Sequence, residues 1–580
     1  MIDILSAEAG RDVIPAMEKQ KNMTNSTNRY LVGIVSGAIV LAAGLLLPAQ
    51  SLVDSLYGPA GDLQEQLLLG ASIFKAVLVV TGLYLAVLGF ITVNTAVSRQ
   101  PQESKQGGCA MWLLLALACL ALALRLYQLD VGIWLDEMLT YVNYMPLTAG
   151  RIFTTFDDAN NHLLFTLLAN LSFDLFGAHT WSLRLPAVLF GVASIPALYY
   201  VARQVGSVRE ALFSAALFTF SYHHVWFSQN ARGYTALLFF TLLSSGLLIQ
   251  ALRSNRTAVW LLYAVSAALG VFTHLTMGFV LIAHFVIWLV PVLTGRLGTG
   301  ITRWNGFLIG FMVAGLLSLL AYAFVLPQMF GGGLASGAQG TVKEWTNPVW
   351  MVLELFRGLQ ISFAGGLVAA IALSVFALGL IDFLRKAPVI PALLFIPTTL
   401  GFLVMLGIGY TLFPRFFFFA MGFGVIIVIR GACVSGDILG KLFRLSGDRA
   451  AWPCNLLCAG LVIVSMLSVP FAWGPKQDYE GALALIESQQ LPGDTVVTVG
   501  IAAVAYDKFY RTGWQPVETL QALGNVRKQP GRTWVVYTVP LHTAAAYPEI
   551  VAVLESDFEL VGEFHGTLNG GTVVVNRADD

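Results

Sequence analysis

Charge is scarce in this chain: only 11% of its residues are Asp, Glu, Lys or Arg against 57% hydrophobic, and mean hydropathy is +0.74. That shortage excludes a soluble multidomain protein of 580 residues, because there is too little polar surface to keep it in water. Charge of one sign is also missing. The 33 basic and 33 acidic residues cancel, with an isoelectric point near 7.1, which excludes nucleic-acid or anionic-lipid binding driven by overall charge. Cysteine is rare as well. Cys109, Cys119, Cys433, Cys454 and Cys458 all lie in or beside apolar runs, so neither a disulfide scaffold nor paired CxxC zinc ligands are expected. Cys454 and Cys458 share a helix face and read as packing residues.

What the chain has in excess is long apolar runs. From Tyr30 almost to Trp473, stretches of roughly 20 residues recur, each long enough to cross about 30 Å of hydrocarbon. Centres near 39, 84, 119, 191, 216, 243, 265, 283, 315, 372, 400, 424 and 462 predict an all-α polytopic membrane protein with about thirteen spans. The pairs at 216/243 and 265/283 are separated by polar hinges rather than long loops. The first 28 residues are polar, lack the features of a signal peptide and are expected to form a cytoplasmic tail. With the N-terminus inside, predicted inner segments hold 18 Lys and Arg and outer loops 7, the asymmetry expected of a multi-pass protein of the cytoplasmic (inner) membrane. An odd number of spans then puts the C-terminal segment outside.

Beyond Trp473 the pattern changes. Short β-rich runs (TVVTVG at 495, WVVYTV at 534, TVVVNR at 572) alternate with amphipathic stretches and turn signals, which predicts a small extracytoplasmic α/β domain over 473–580. Its expected role is support or acceptor docking.

Ionisable residues are costly inside a bilayer, so those at the ends of spans are the first candidates for chemistry. They gather on the predicted outer side. LYQLDVGIWLDEMLTYVNYM carries Asp136 and Glu137, and TTFDDANNHLLF adds Asp157, Asp158 and His162. Neighbouring acids point apart on a regular backbone, so one can face a cavity while the other holds structure; equally, loop acids can simply keep a loop in water. SYHHVWFSQNARGY places His223, His224, Arg232 and Tyr234 between two apolar runs, which suits a ligand site or a hydrogen-bonded turn. His274 in VFTHLTMG sits in a similar hinge. In LFPRFFFFAMGF, Arg415 is a lone base beside aromatics, fit to grip a lipid phosphate or to anchor a helix at the headgroup level. A metal site through Glu137 with His224 or His274 is an open option, but no ligand spacing demands a cofactor.

The order of these features resembles the GT-C membrane glycosyltransferases, specifically the protein O-mannosyltransferase and aminoarabinose transferase family that uses polyprenyl-phosphate sugars. The residues that carry it are WLDE (134–137), NNHLLFTLLANLSFDLFGAHTWSLRLPAVLFGVASIPALYYVAR (160–203), FSQNARGY (227–234), THLTMG (273–278) and FPRFFFF (413–419). The resemblance runs from about Cys109 to Arg430 and implies a catalytic domain over 106–472. It implies sugar transfer from a polyprenyl-phosphate donor to a lipid, glycan or protein acceptor by direct inverting displacement, with Asp136 as base and Glu137 beside it. Arg415 first and Arg232 second are implied to meet the leaving phosphate, while Asp158 and His162 shape the pocket; His224, Tyr234 and His274 complete the expected substrate-binding set. Where the family has proline after the histidine, this chain has Leu163 and Leu164, which puts the turn geometry in question. Two spans within 29–105 have no counterpart in the family and are expected to bind a partner subunit. The rival readings are a non-catalytic accessory subunit with the same fold and a transporter, the latter disfavoured because no internal repeat is visible.

Overall fold

The structure is a computed structural model describing residues 33–91, 108–295, 304–334, 342–362 and 366–579. The expected cytoplasmic tail and the boundary at 105/106 lie outside the described residues. The remainder is an all-α polytopic assembly followed by a small α/β domain. Each of the predicted span centres falls on a helix, but the span count is smaller. Seven described helices are long and apolar enough to cross a membrane, or up to nine if two bent pairs each count as one. The shortfall falls largely on the hinge-separated pairs. The centre at 216 lies on Val208–Thr219, whose 12 residues rise about 18 Å, well short of the roughly 30 Å needed. Those at 265 and 283 lie on Thr257–Thr273 and Met277–Leu293, 17 residues each, at the lower limit of a span's length.

Burial separates centre from periphery. Tyr234–Ser254 is buried along 78% of its most apolar window and packs on Thr180–Val205, whereas Gly61–Gly89 is buried along only 17% and turns its side chains outward. That outer helix still docks on the rest through Gly70, where a Cβ would stand 2.2 Å from the Phe324 carbonyl oxygen. Local signals set the ends of the inner helices. Ser207 and Glu210 form a reciprocal cap, Ser207 Oγ accepting from the Glu210 amide at 3.2 Å and Glu210 Oε2 from the Ser207 amide at 2.7 Å.

At this end of the bundle, charge is paired across helices. Arg430 lies within the helix Met421–Leu442 and bridges Glu210 at 2.6 Å and Asp382 at 2.7 Å. Lys386 also pairs with Asp382, but is largely exposed. Arg430→Leu takes the shared cation from Glu210 and leaves Asp382 only Lys386, and is expected to cost about 1–3 kcal/mol, the worth of hydrogen bonds to charged groups, whereas Lys386→Ala should cost less than about 1 kcal/mol. Thermal unfolding of the detergent-solubilised protein checks both, and equal effects would show that the network is not cooperative. Nearby, Cys433 and Cys454 are joined as a disulfide, with Cys458 buried beside them. This corrects the expectation of packing cysteines alone: helix contact brings together residues 21 apart in sequence.

The α/β domain has five strands: β1 Thr495–Val499, β2 Gln515–Val517, β3 Thr533–Thr538, β4 Glu559–Phe564 and β5 Val573–Ala578. They are ordered β2-β1-β3-β5-β4, with β1 parallel to β2 and β3, and β5 antiparallel to β3 and β4. The three strands legible as β-rich runs are the central ones. The two edges were not legible, because QPV is short and contains proline and ELVGEF carries charges and a glycine, as edge strands do. One face of this sheet shares a core with the membrane part. Trp534, Val536 and Val575 belong to the same buried cluster as Met138, Tyr144 and Phe165, and Tyr141 meets Phe509 edge-on at 5.2 Å.

Candidate active site

The site begins at the short helix Leu135–Tyr144, whose N-terminus favours the acids in its first turn. Successive helical residues diverge by about 100°. Asp136 lines a cavity, while Glu137 points inward and is fully buried. Arg184 grips Glu137 with two bonds, Nε to Oε1 at 2.8 Å and Nη2 to Oε2 at 2.6 Å. The rest of that guanidinium donates to the carbonyls of Leu129, Val131 and Gly132 at 2.7–2.9 Å, so all its donors are used. Ala231 also donates its amide to Glu137. Burial pushes the Glu137 carboxyl up, but Arg184, Lys476 and these hydrogen bonds outweigh it and hold it below the ordinary range.

The loop before Leu163–Phe176 is stitched to the same helix. Tyr144 donates to Asp157 Oδ1 at 2.6 Å, Asp158 Oδ1 accepts from the Asn160 amide at 2.8 Å, and the Asn160 side chain reaches the Asp136 carbonyl at 3.4 Å. Burial pushes the Asp158 carboxyl up. Leu163 begins its helix directly after His162, so the turn forms without the proline that would also suit that first helical position. His162 Nδ1 accepts from the Gly233 amide at 2.9 Å, and its Nε2 lies 3.2 Å from Arg232 Nη2. Burial, then Arg232, His274 and Arg415, push this imidazole well below its ordinary value. His274 meets His162 edge-on with ring centroids 4.5 Å apart and bonds Thr276 through Nδ1. Tyr234 stands edge-on to His162 at 5.3 Å.

Arg415 enters from the turn Pro414–Ala420. Its Nη1 lies 3.6 Å from Asp136 Oδ2, and its guanidinium sits 4.4 Å from the Phe413 ring and 5.5 Å from that of Trp134. Its buried Nε has no hydrogen-bond partner among the described residues. Arg232 has an unpartnered Nε as well, but its Nη1 already donates to the Asn160 carbonyl at 2.6 Å and its Nη2 lies 3.2 Å from His162 Nε2.

These groups line part of a cavity of about 2090 Å³, well above the size typical of a drug-like ligand site. Most of the remaining lining is apolar and comes from several helices, including Met351, Leu373, Phe376, Leu394 and Val425. Part of its wall comes from the α/β domain, through Val539, His542 and the loop 566–571; Asn569 of that loop donates to Glu354 at 2.7 Å. Val539 precedes a proline yet holds φ +51, a strained conformation for a β-branched residue, at this wall.

A carboxylate faces an incompletely engaged guanidinium in a cavity whose other lining is mostly apolar, an arrangement that suits an amphipathic anion. Residues 161–326 match the family of dolichyl-phosphate-mannose-protein mannosyltransferases. It is the protein O-mannosyltransferase family that the motifs resemble. The matched segment carries His162, Arg184, Arg232, Tyr234 and His274; Asp136 and Arg415 lie on either side of it. No curated relative matches the chain. Among solved structures, ArnT from Cupriavidus metallidurans in the apo state is similar at 12% identity and TM-score 0.48, over 81% of this chain and 98% of that one. The Archaeoglobus fulgidus oligosaccharyltransferase with a tethered acceptor peptide is similar at 11% identity and TM-score 0.46, over 80% and 74%. Arabinosyltransferase EmbB from Mycobacterium smegmatis is similar at 12% and 0.43, over 69% and 45%.

Measured against the expected mannosyltransferase-like set, the cavity collects Asp136, Asp158, His162, Arg232, Tyr234, His274 and Arg415. Two expected residues are corrected. Glu137 is off the cavity wall because its carboxylate is spent on Arg184. His224 turns away too, its Nδ1 2.6 Å from Arg125 Nη2 and its ring stacked on Phe218, and His223 takes the wall position instead. Glu137, His224 and His274 therefore do not converge as metal ligands. Tyr410, Trp345 and the linker residues Lys476 and Gln477 were missed. Tyr410 stands five residues before Arg415 and was within reach of the motif; Lys476 and Gln477 gave no signal, because their partners lie far away in the chain.

Proposed function

We propose that this chain is a membrane glycosyltransferase that moves a sugar from a polyprenyl-phosphate donor to a hydroxyl or amine on a lipid, glycan or protein acceptor outside the cytoplasmic membrane. The observation that carries the reading is the apposition of Asp136 and Arg415 in a cavity whose other lining is mostly apolar. The isoprenoid tail lies against that apolar lining and its phosphate takes the free donors of Arg415, drawing the guanidinium from Asp136. Asp136 removes the proton of the acceptor as its oxygen or nitrogen bonds the anomeric carbon, and the bond from that carbon to the phosphate oxygen breaks, its electron pair leaving on the phosphate. Attack and departure on opposite faces invert the configuration. Arg415 stabilises the negative charge that grows on the leaving phosphate, where a fixed cation in a water-poor site acts most strongly. Glu137 and Arg184 hold the helix that aims Asp136. The helices within 33–91 offer a surface for a partner subunit.

The test is consumption of radiolabelled polyprenyl-phosphate sugars by native membranes, with wild type and Arg415→Ala compared. Wild type is expected to move label to an acceptor, and Arg415→Ala to lose about 10- to 100-fold in kcat/KM, the worth of a charge-assisted hydrogen bond. If wild type consumes no donor of any sugar or chain length, the transferase reading falls. A full rate in Arg415→Ala removes Arg415 from the phosphate site.

A further inference from the structure

The α/β domain is joined to the last membrane helix by a short linker, and two of its residues are more deeply buried than a tether requires. Lys476 and Gln477 are 3% and 2% exposed. Gln477 Oε1 accepts from the amide of Leu135 at 2.8 Å. That amide is one of the donors at the start of the Asp136 helix that have no partner within the helix. The other end of the same side chain donates to Gly571 O at 3.3 Å and Thr538 Oγ1 at 3.4 Å, so one glutamine ties the helix to the sheet domain. Lys476 Nζ donates to the Gln229 carbonyl at 2.6 Å and lies 5.5 Å from the Trp226 ring. The linker carbonyls are used as well, Pro475 O by Thr567 and Lys476 O by Leu568.

The chain leading into the Asp136 helix is shaped to admit this linker. Gly132 has φ +59, and a Cβ there would stand 2.8 Å from Pro475 Cα. Only glycine allows both the turn and the approach. We propose that Lys476 and Gln477 form a positioning clamp on the Asp136 helix, so that the C-terminal segment completes the active site rather than merely covering it. The inference rests on the reading of Asp136 as the base. The shared core between the sheet and the membrane part fixes the sheet in place, and the linker then holds the helix start, the Gln229 turn and the cavity-wall loop 566–571 in one register.

The experiment compares full-length wild type, Gln477→Met and Gln477→Glu in nanodiscs, by hydrogen exchange over 134–144 and by donor kinetics. Methionine keeps the length without the acceptor, and glutamate keeps an acceptor oxygen where a helix N-terminus favours one. Gln477→Met is expected to speed exchange at the helix start about tenfold while β1, β3 and β5 stay protected. It should lower kcat about 10- to 100-fold, the scale of a 1 Å misplacement, with KM for the donor little changed. Gln477→Glu restores the acceptor for the Leu135 amide but not the donors to Gly571 and Thr538, so it should recover part of both losses. Native exchange in Gln477→Met overturns the clamp, as does a change confined to KM, which would make Gln477 a substrate contact, or a kcat loss that glutamate does not rescue. If wild type consumes no donor, the transferase reading fails separately, and the exchange comparison still decides whether the linker holds the helix.

Discussion

Asp136→Asn is expected to lower sugar transfer about 100- to 10,000-fold, the range contributed by a positioned general base, with the fold and donor affinity retained. The reasons are local. Asparagine has the same shape, and Asp136 is bound to the rest of the protein through its backbone, whose carbonyl accepts from Thr140 and Asn160, rather than through its carboxylate. The only ion pair of that carboxylate among the described residues is the long one with Arg415, at 3.6 Å. Removing the charge frees Arg415 for the donor phosphate, so KM for the donor should stay level or fall while kcat collapses. Single-turnover transfer from a labelled donor, alongside equilibrium donor binding, separates the two terms. Transfer at the wild-type rate would remove Asp136 as base and reopen the accessory-subunit reading.

Glu137→Ala is expected to destabilise the protein by about 3–5 kcal/mol, the cost of leaving a buried charge without its partner, and its loss of activity should follow from loss of folded protein. Arg184 and Glu137 are 1% and 0% exposed in their side chains. Deleting the carboxylate leaves a buried guanidinium facing only carbonyls. Arg184→Met should cost a similar amount, and the double variant less than the sum, because each single change strands the other partner. The pH dependence has a definite sign. The folded-state value of Glu137 lies below its ordinary 4.5, so its stabilisation is present above that pH and is lost as pH falls below it. Unfolding measured from neutral pH into that acid range should steepen for wild type relative to Glu137→Gln. A Glu137→Ala protein with native stability and no transfer would return Glu137 to the catalytic pair.

The opposite fates of Asp136 and Glu137 show what could be read in advance. That two adjacent acids must point apart follows from helical geometry; which one meets the cavity depends on Arg184, 47 residues further on. The same holds for His223 and His224, where Arg125 claims the second ring and leaves the first at the wall. Arg415 and His274 were legible because a polar residue between apolar runs has few places to go. Gln477 was not, since nothing in a glutamine after a span announces that it will cap a helix 342 residues earlier.

By itself the sequence determined the membrane class, the helix positions, the three central strands and the clustering of polar groups at the ends of helices. These follow from local hydropathy and period, which act over a few turns of chain. Only the tertiary structure decided which long helices suffice to cross a membrane, which member of each polar pair faces the cavity, that Cys433 meets Cys454, and that the C-terminal linker reaches the Asp136 helix. Those outcomes are set by packing between segments distant in sequence, where one guanidinium or one missing Cβ settles which of two otherwise equivalent arrangements is filled.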